Sequence, residues 1–273
     1  MTVARTIRLS LLSLGAVVFL APYVFMLSTA AKSQQDIFSS SLMLIPQNWA
    51  LLENLGKAFS RIPMLQLLLN GIMVCAIILT VQIIVAVPCA YAMAKLKFRG
   101  QRAMMILVLL GLLVPIHATA LPFYVSFSKL GLLNTFFALC APFFITVFGI
   151  FLFLQFFRSM PDDLMSAARL DGMSEAGIIA RVIVPNAWPA ITAFSIFSVV
   201  AHWNDLFWPL IVVNSIERST PPLGLLYFRA AESGDNYGAL MAATLIITLP
   251  LLLAFLAAQR RFIEGITLTG LKG

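Results

Sequence analysis

An all-α integral membrane protein with six transmembrane helices is the fold class this sequence predicts, and three observations predict it. The 273 residues are 61% apolar and 11% charged, with a mean hydropathy of +0.97. A soluble chain lies nearer half apolar and a quarter charged. Six apolar runs recur, at 9–31, 67–94, 104–125, 136–157, 190–213 and 239–258, each close to the about 20 residues that cross a ~30 Å hydrocarbon core as helix. The basic residues are shared unevenly between the segments that join the runs.

The first run follows Arg5 and Arg8 and ends in small residues, as a secretory signal does. Its 23 residues are too many for the apolar stretch of such a signal, and five more runs follow, so we read it as a retained first helix. The six runs use most of the chain, which we read as a single membrane domain over 1–273. Twelve of the 18 basic residues fall in one alternating set of segments and six in the other, and Lys95–Arg102 carries four bases and no acid. The positive-inside rule then places both termini in the cytoplasm. The net charge of +7 is thereby a topology signal, and no nucleic-acid partner is expected.

With that orientation, 32–66, 126–135 and 214–238 lie outside. The first of these, with Pro46, Trp49 and Pro63, is too polar for lipid and is expected to form short helices. Prolines recur inside the runs, at Pro22, Pro88, Pro115, Pro122, Pro142, Pro209 and Pro250. Each removes a helix hydrogen bond, which membranes tolerate where neighbours satisfy the freed carbonyl. Cys75, Cys89 and Cys140 lie in apolar runs without metal or redox spacing and read as small core residues. No sequence repeat relates the two halves, which speaks against an inverted-repeat secondary transporter.

The polar segment 158–189 is longer than any connection needs, and a loop of that length carries structure or function of its own. Pro161 suits a first helical turn, and Asp162 and Asp163 suit the positive end of a helix dipole. Leu164, Ala167, Ala168 and Asp171 follow at i, i+3, i+4 and i+7, and Gly172 stands where a C-terminal cap needs positive φ. Ser174 caps a second helix through Ala176, Ile179 and Ala180 towards Val182, which Pro185 closes. The expected form is a compact two-helix knob between helices 4 and 5, with Ala167 and Ala168 small enough to seat in a partner's groove. Its acids outnumber its bases, a poor match to anionic lipid headgroups.

Ser166-Ala167-Ala168, Gly172, Val182, Val184 and Pro185 match the spacing of the Glu-Ala-Ala loop by which the permease subunits of ABC importers grip their ATPases. The chain resembles the carbohydrate-uptake group of type I ABC importers, and is similar to their maltose-type second permease subunit. The likeness extends to Trp203-Asn204-Asp205, to Trp208-Pro209, to the tail Gln259-Arg260-Arg261-Phe262 and Leu268 to Gly273, and weakly to Pro46–Trp49 and Glu53-Asn54-Leu55. The resemblance implies a multi-pass protein of the bacterial inner membrane, paired with a second permease subunit as a heterodimer. It also implies two copies of an ATP-binding subunit, which bind ATP and Mg, and an extracytoplasmic solute-binding protein. Ser166, Ala167, Ala168, Asp171, Gly172 and Pro185 would be the ATPase-coupling residues. Ser166 departs from the family's Glu, which pairs with a basic ATPase residue, and Asp162, Asp163 or Glu175 are the acids at hand to replace it.

The chain has no phosphate loop of the Gly-x-x-x-x-Gly-Lys type, so no cofactor is expected in it, nor a metal. Motifs of membrane-embedded hydrolases are absent as well. Polar residues inside spans turn inward, because lipid penalises them. Gln82, His117, His202, Asn204 and Asp205 are the candidate solute-pathway residues, with Trp203 and Trp208 as candidate faces for a sugar ring. His202 and Asp205, three apart, share a helix side and are expected to pair. The expected function is permease for a sugar or oligosaccharide, with a polyol or glycerol phosphate as the alternative solute.

Overall fold

The computed structural model describes residues 2–39, 44–228 and 236–270. Arg229, Leu271, Lys272 and Gly273 lie outside them, as do the side chains of Gln259, Arg260, Arg261 and Phe262. Among the described residues all secondary structure is helical apart from one isolated bridge between Lys32 and Trp49. The helices are α1 (Thr2–Ala31), α2 (Gln34–Ile37), α3 (Leu51–Arg61), α4 (Met64–Lys95), α5 (Gln101–Leu113), α6 (Ile116–Lys129), α7 (Phe136–Cys140) and α8 (Val147–Ser159). They continue as α9 (Asp162–Leu170), α10 (Glu175–Ile178), α11 (Val184–Asn186), α12 (Trp188–Trp203), α13 (Phe207–Val212), α14 (Pro221–Gly224) and α15 (Tyr237–Gly270).

Three helical stretches are long and apolar enough to cross a membrane unbroken: Arg5–Ala31, Met64–Lys95 and Tyr237–Ala257. The count reaches six if three bent pairs each make one span. The third apolar run is bent by 97° between α5 and α6. Its cause is local: Pro115 drives Val114 out of the helical region, to φ −79° and ψ 114°. The fourth run bends by 42° before α8, where extended Thr146 starts a new helix and its Oγ accepts from Gly149 N at 3.0 Å. The fifth run is not one helix either, since α12 stops at Trp203 and α13 begins at Phe207.

The chain divides into two compact units, Met1–Leu68 with Pro221–Pro250, and Leu69–Thr220 with Leu251–Gly273. In the first unit the expected short helices of 32–66 form as α2 and α3. Buried Asn54 of α3 donates to Ala30 O and Lys32 O, both at 2.9 Å. Helix ends leave carbonyls without partners, and this one amide satisfies two of them. Asp36 gathers Gln47 N, Asn48 N and Asn48 Nδ2 at 3.1, 2.8 and 3.2 Å, fixing the chain after α2. Those bonds, Asn48 N foremost, hold its carboxyl below the usual 3.8.

Among the described residues, two apolar clusters lie within the second unit. One is built by Val74 and Ile78 of α4, Phe127 of α6, Leu139 of α7, Phe143, and Trp208 and Val212 of α13. The other joins Tyr91 and Met93 of α4, Phe153, Leu154 and Phe157 of α8, Phe194 of α12, and the inner side of the 158–189 segment. Buried Gly149 lets α8 and α12 approach, because a Cβ there would lie 2.8 Å from Phe194 Cε2. Close approach at small residues is how membrane helices gain packing contact.

Candidate functional site in the 158–189 loop and a buried polar cluster

Pro161 stands just before α9, at φ −60° and ψ 136°, with Asp162 and Asp163 in the first turn. Gly172, at φ +79°, ends the helix as expected. Met173 N bonds to Ala168 O and Gly172 N to Arg169 O, each at 3.0 Å, the paired closure of a Schellman cap. Ser174 then starts α10, its Oγ accepting from Gly177 N at 3.2 Å. Two short helices, α9 and α10, thus meet at Gly172.

Its second half differs from expectation. Pro185 does not close a helix: α10 passes through a π-helical turn, Ile179–Ile183, into α11, which contains Pro185. A π turn shifts the bonding register and is a recognised way to absorb a lost donor. The amide of Asn186 adds a bond to Val182 O at 2.7 Å. The real break comes at Ala187, where α12 leaves at 79°.

The two alanines divide. Ala168 is buried with Met165 against the core, whereas Ala167 is exposed, so only Ala167 can meet a partner. The inward side of α9 is 165/168, so of the stripe Leu164, Ala167, Ala168 and Asp171 read in the sequence only Ala168 turns inward. Leu164, Ala167 and Leu170 therefore face outward, with Leu170 89% exposed. Asp163 and Asp171 are exposed beside them and form no ion pair among the described residues. Ser166 is exposed too, its hydroxyl turned back to Asp162 O at 3.1 Å.

The other two acids are engaged. Lys95, at the end of α4 with its side chain 5% exposed, donates to Met160 O and Asp162 Oδ1, both at 2.6 Å. Arg169 Nε bonds Glu175 Oε1 at 2.8 Å, across the Gly172 turn. Tyr91 OH, also on α4, donates to Glu175 Oε2 at 2.5 Å and accepts from Arg169 Nη2 at 3.2 Å. The bond from Lys95 holds the Asp162 carboxyl below its ordinary 3.8. Arg169, then Tyr91, hold Glu175 below 4.5. Carboxyls lowered in the folded state stabilise it above their ordinary range and cease to do so as pH falls through the lowered values. Both groups are thus carboxylates throughout the neutral range, as these bonds require.

The polar residues of the apolar runs are only partly brought together. Gln82 is buried, donates to Phe143 O at 2.9 Å, accepts from Ser198 Oγ at 2.6 Å, and lies 3.3 Å from His202 Nε2. His117 sits elsewhere, its ring 4.5 Å from that of Phe207. The expected pairing of His202 with Asp205 is not made. His202 turns to Gln82, and Asp205 Oδ1 accepts from Trp208 N at 3.2 Å, in the first turn of α13. Asn204 is exposed, its Nδ2 on Val200 O at 2.8 Å. Trp203 and Trp208 are buried, and Trp208 Nε1 donates to Ala138 O at 2.9 Å, so neither offers a face to a sugar.

Sequence reasoning missed Ser198, and missed Asn70, whose amide donates to Glu217 O and Ser219 O at 2.9 Å each. A search for every amide or hydroxyl within the runs would have found both. It also missed Tyr91 and Lys95 as loop contacts, for which a tyrosine and a lysine one turn apart at a helix end are the only signal.

Residues 82–267 match the family described as the binding-protein-dependent transport system inner membrane component. The chain belongs to this family. The matched stretch contains the loop and the group of Gln82, Ser198 and His202. Among relatives of the permease, the arabinooligosaccharides transport system permease protein AraQ of Halalkalibacterium halodurans is 32% identical over 204 residues, 75% of this chain and 73% of its own. The sn-glycerol-3-phosphate transport system permease protein UgpE of Pectobacterium atrosepticum is 28% identical over 94% of this chain and 93% of its own. In fold, the permease is similar to a chain of a bacterial ABC transporter that imports the acidic polysaccharide alginate. The TM-score is 0.82 at 21% identity, over 96% of this chain and 97% of that one.

Proposed function

We propose that this permease is one half of the membrane pathway of an ATP-driven, binding-protein-dependent importer, and that the loop at 158–189 docks an ATP-hydrolysing subunit. The observation that carries the docking reading is the outward stripe of α9, an exposed Leu170 with Leu164 and Ala167 beside it, flanked by Asp163 and Asp171, which form no ion pair among the described residues. An apolar cleft with a basic rim is its complement. Six spans, cytoplasmic termini and a single membrane domain over 1–273 complete the reading, with a second permease subunit as heterodimeric partner. Two ATP-binding subunits hold ATP and Mg, and an external solute-binding protein delivers the solute. The exposed Asn204 and His117 are the candidates to touch solute, while Gln82, His202 and Asp205 serve the chain's own structure.

A sugar or oligosaccharide is the proposed solute, supported by the arabinooligosaccharide relative. Glycerol phosphate is the second reading, since a relative named for it aligns over nearly the whole chain.

Replacing Leu170 by Ser tests the docking surface. A fully buried Leu contributes about 1.5–3 kcal/mol, so co-purification of the ATPase should weaken at least about tenfold while the permease pair still assembles. Undiminished ATPase capture would refute the docking reading. The topology is tested separately by cysteines at Ser39 and Ser166 in a chain lacking the native three. In intact cells an impermeant thiol reagent should reach the first and spare the second, and labelling of residue 166 from outside would exclude cytoplasmic termini.

A further inference from the structure

Two side chains on α4 hold the loop by four hydrogen bonds, over and above the apolar packing beneath it. Tyr91 and Lys95 are four apart, so they project from one side of the helix. Lys95 grips the start of α9 through Met160 O and Asp162. Tyr91 grips the Arg169–Glu175 pair, which itself ties the last turn of α9 to the first of α10. We propose that Tyr91 and Lys95 form a strap that makes the loop and α4 move as one body. Loop displacement by the ATPase then reaches the membrane through α4. This inference rests on the docking reading given above.

The alternative route for such a displacement is the chain itself. On that route the loop leads into α12 through the bend at Ala187, where φ is −89° and ψ is 4°. A bend can change its angle and absorb motion without passing it on. Met165, Ala168 and Ile178 do seat the loop on the core that includes Tyr91. Apolar contact resists separation but is not directional and tolerates sliding. Hydrogen bonds to charged groups fix distance and direction together. Both carboxylates remain ionised at neutral pH, so both can accept the strap bonds in their charged form.

The strap residues are positioning residues, and their test separates holding from transmitting. The double variant Tyr91→Phe with Lys95→Met keeps bulk and the apolar seat while removing every strap bond. In the full complex with its ATPase, binding protein and solute, reconstituted in vesicles, ATPase co-purification should stay within about twofold. Solute moved per ATP hydrolysed should fall about tenfold, the size of effect that a few partly exposed charged hydrogen bonds can carry. A charge exchange gives the second arm. Arg169→Glu alone should uncouple, and Arg169→Glu with Glu175→Arg should restore coupling, because Tyr91 OH can both donate and accept. Normal transport per ATP in the double variant would overturn the strap. Loss of ATPase capture in it would do so as well, by showing that these residues shape the docking face instead. A wild-type permease that captures no ATPase would instead refute the docking reading on which the strap rests.

Discussion

Replacing Gly172 by Val should detach the ATPase from the permease while leaving membrane insertion intact. The cause is backbone conformation alone, since a Cβ built at Gly172 meets nothing within 4 Å, whereas φ is +79°. Left-handed backbone costs an L-residue roughly 1–2 kcal/mol, least for Asn, and strained positions of this kind reach about 3 kcal/mol. A cost of that size populates the open turn, and with it are lost the Met173–Ala168 and Gly172–Arg169 bonds that set the angle between α9 and α10. The expected order of transport-coupled ATP hydrolysis is Gly, then Asn, then Ala, then Val. Side-chain volume predicts a different order, with Ala ahead of Asn, so the series discriminates. Wild-type activity in Gly172→Val would mean that the capped turn does not shape the docking face.

The second large effect is expected at Gly149, for the opposite reason. Its Cβ would stand 2.6 Å from Thr146 Cγ2 and 2.8 Å from Phe194 Cε2, one the cap of α8 and the other a buried ring of α12. Overpacking of this kind costs about 1–3 kcal/mol. Gly149→Ala should therefore lower the midpoint of thermal unfolding in detergent, and Gly149→Leu should abolish accumulation of monodisperse permease. Equal yields of wild type and Gly149→Leu would show that α8 and α12 do not meet at this residue.

How much of this was legible in the sequence varies from residue to residue. Gly172 and Ser174 were, because a positive-φ cap and an N-cap are chosen by the two or three residues around them. The direction of α9 was not: Leu164 and Met165 are both apolar, and only the core beneath decides which of them turns in. Pro185 reads as a stop by its missing donor, yet a π turn before it lets the helix run on. In the apolar runs, Gln82 was recognisable as costly to bury, but its partners lie 61 and 116 positions away at Phe143 and Ser198. His202 and Asp205 looked paired on an ideal helix, and the pairing failed because α12 ends between them.

One ring contact brings two interruptions together. His117 lies in the first turn of α6, just after the break at Pro115, and Phe207 opens α13, just after the break that follows Trp203; their rings touch at 4.5 Å. Unwound backbone at the depth of the acyl chains is tolerated only against protein or water. His117 and Asn204 are nonetheless exposed in the single chain. On the six-span reading proposed above, this contact is the compass needle of the chain: the side it marks would face a partner subunit or water and not hydrocarbon.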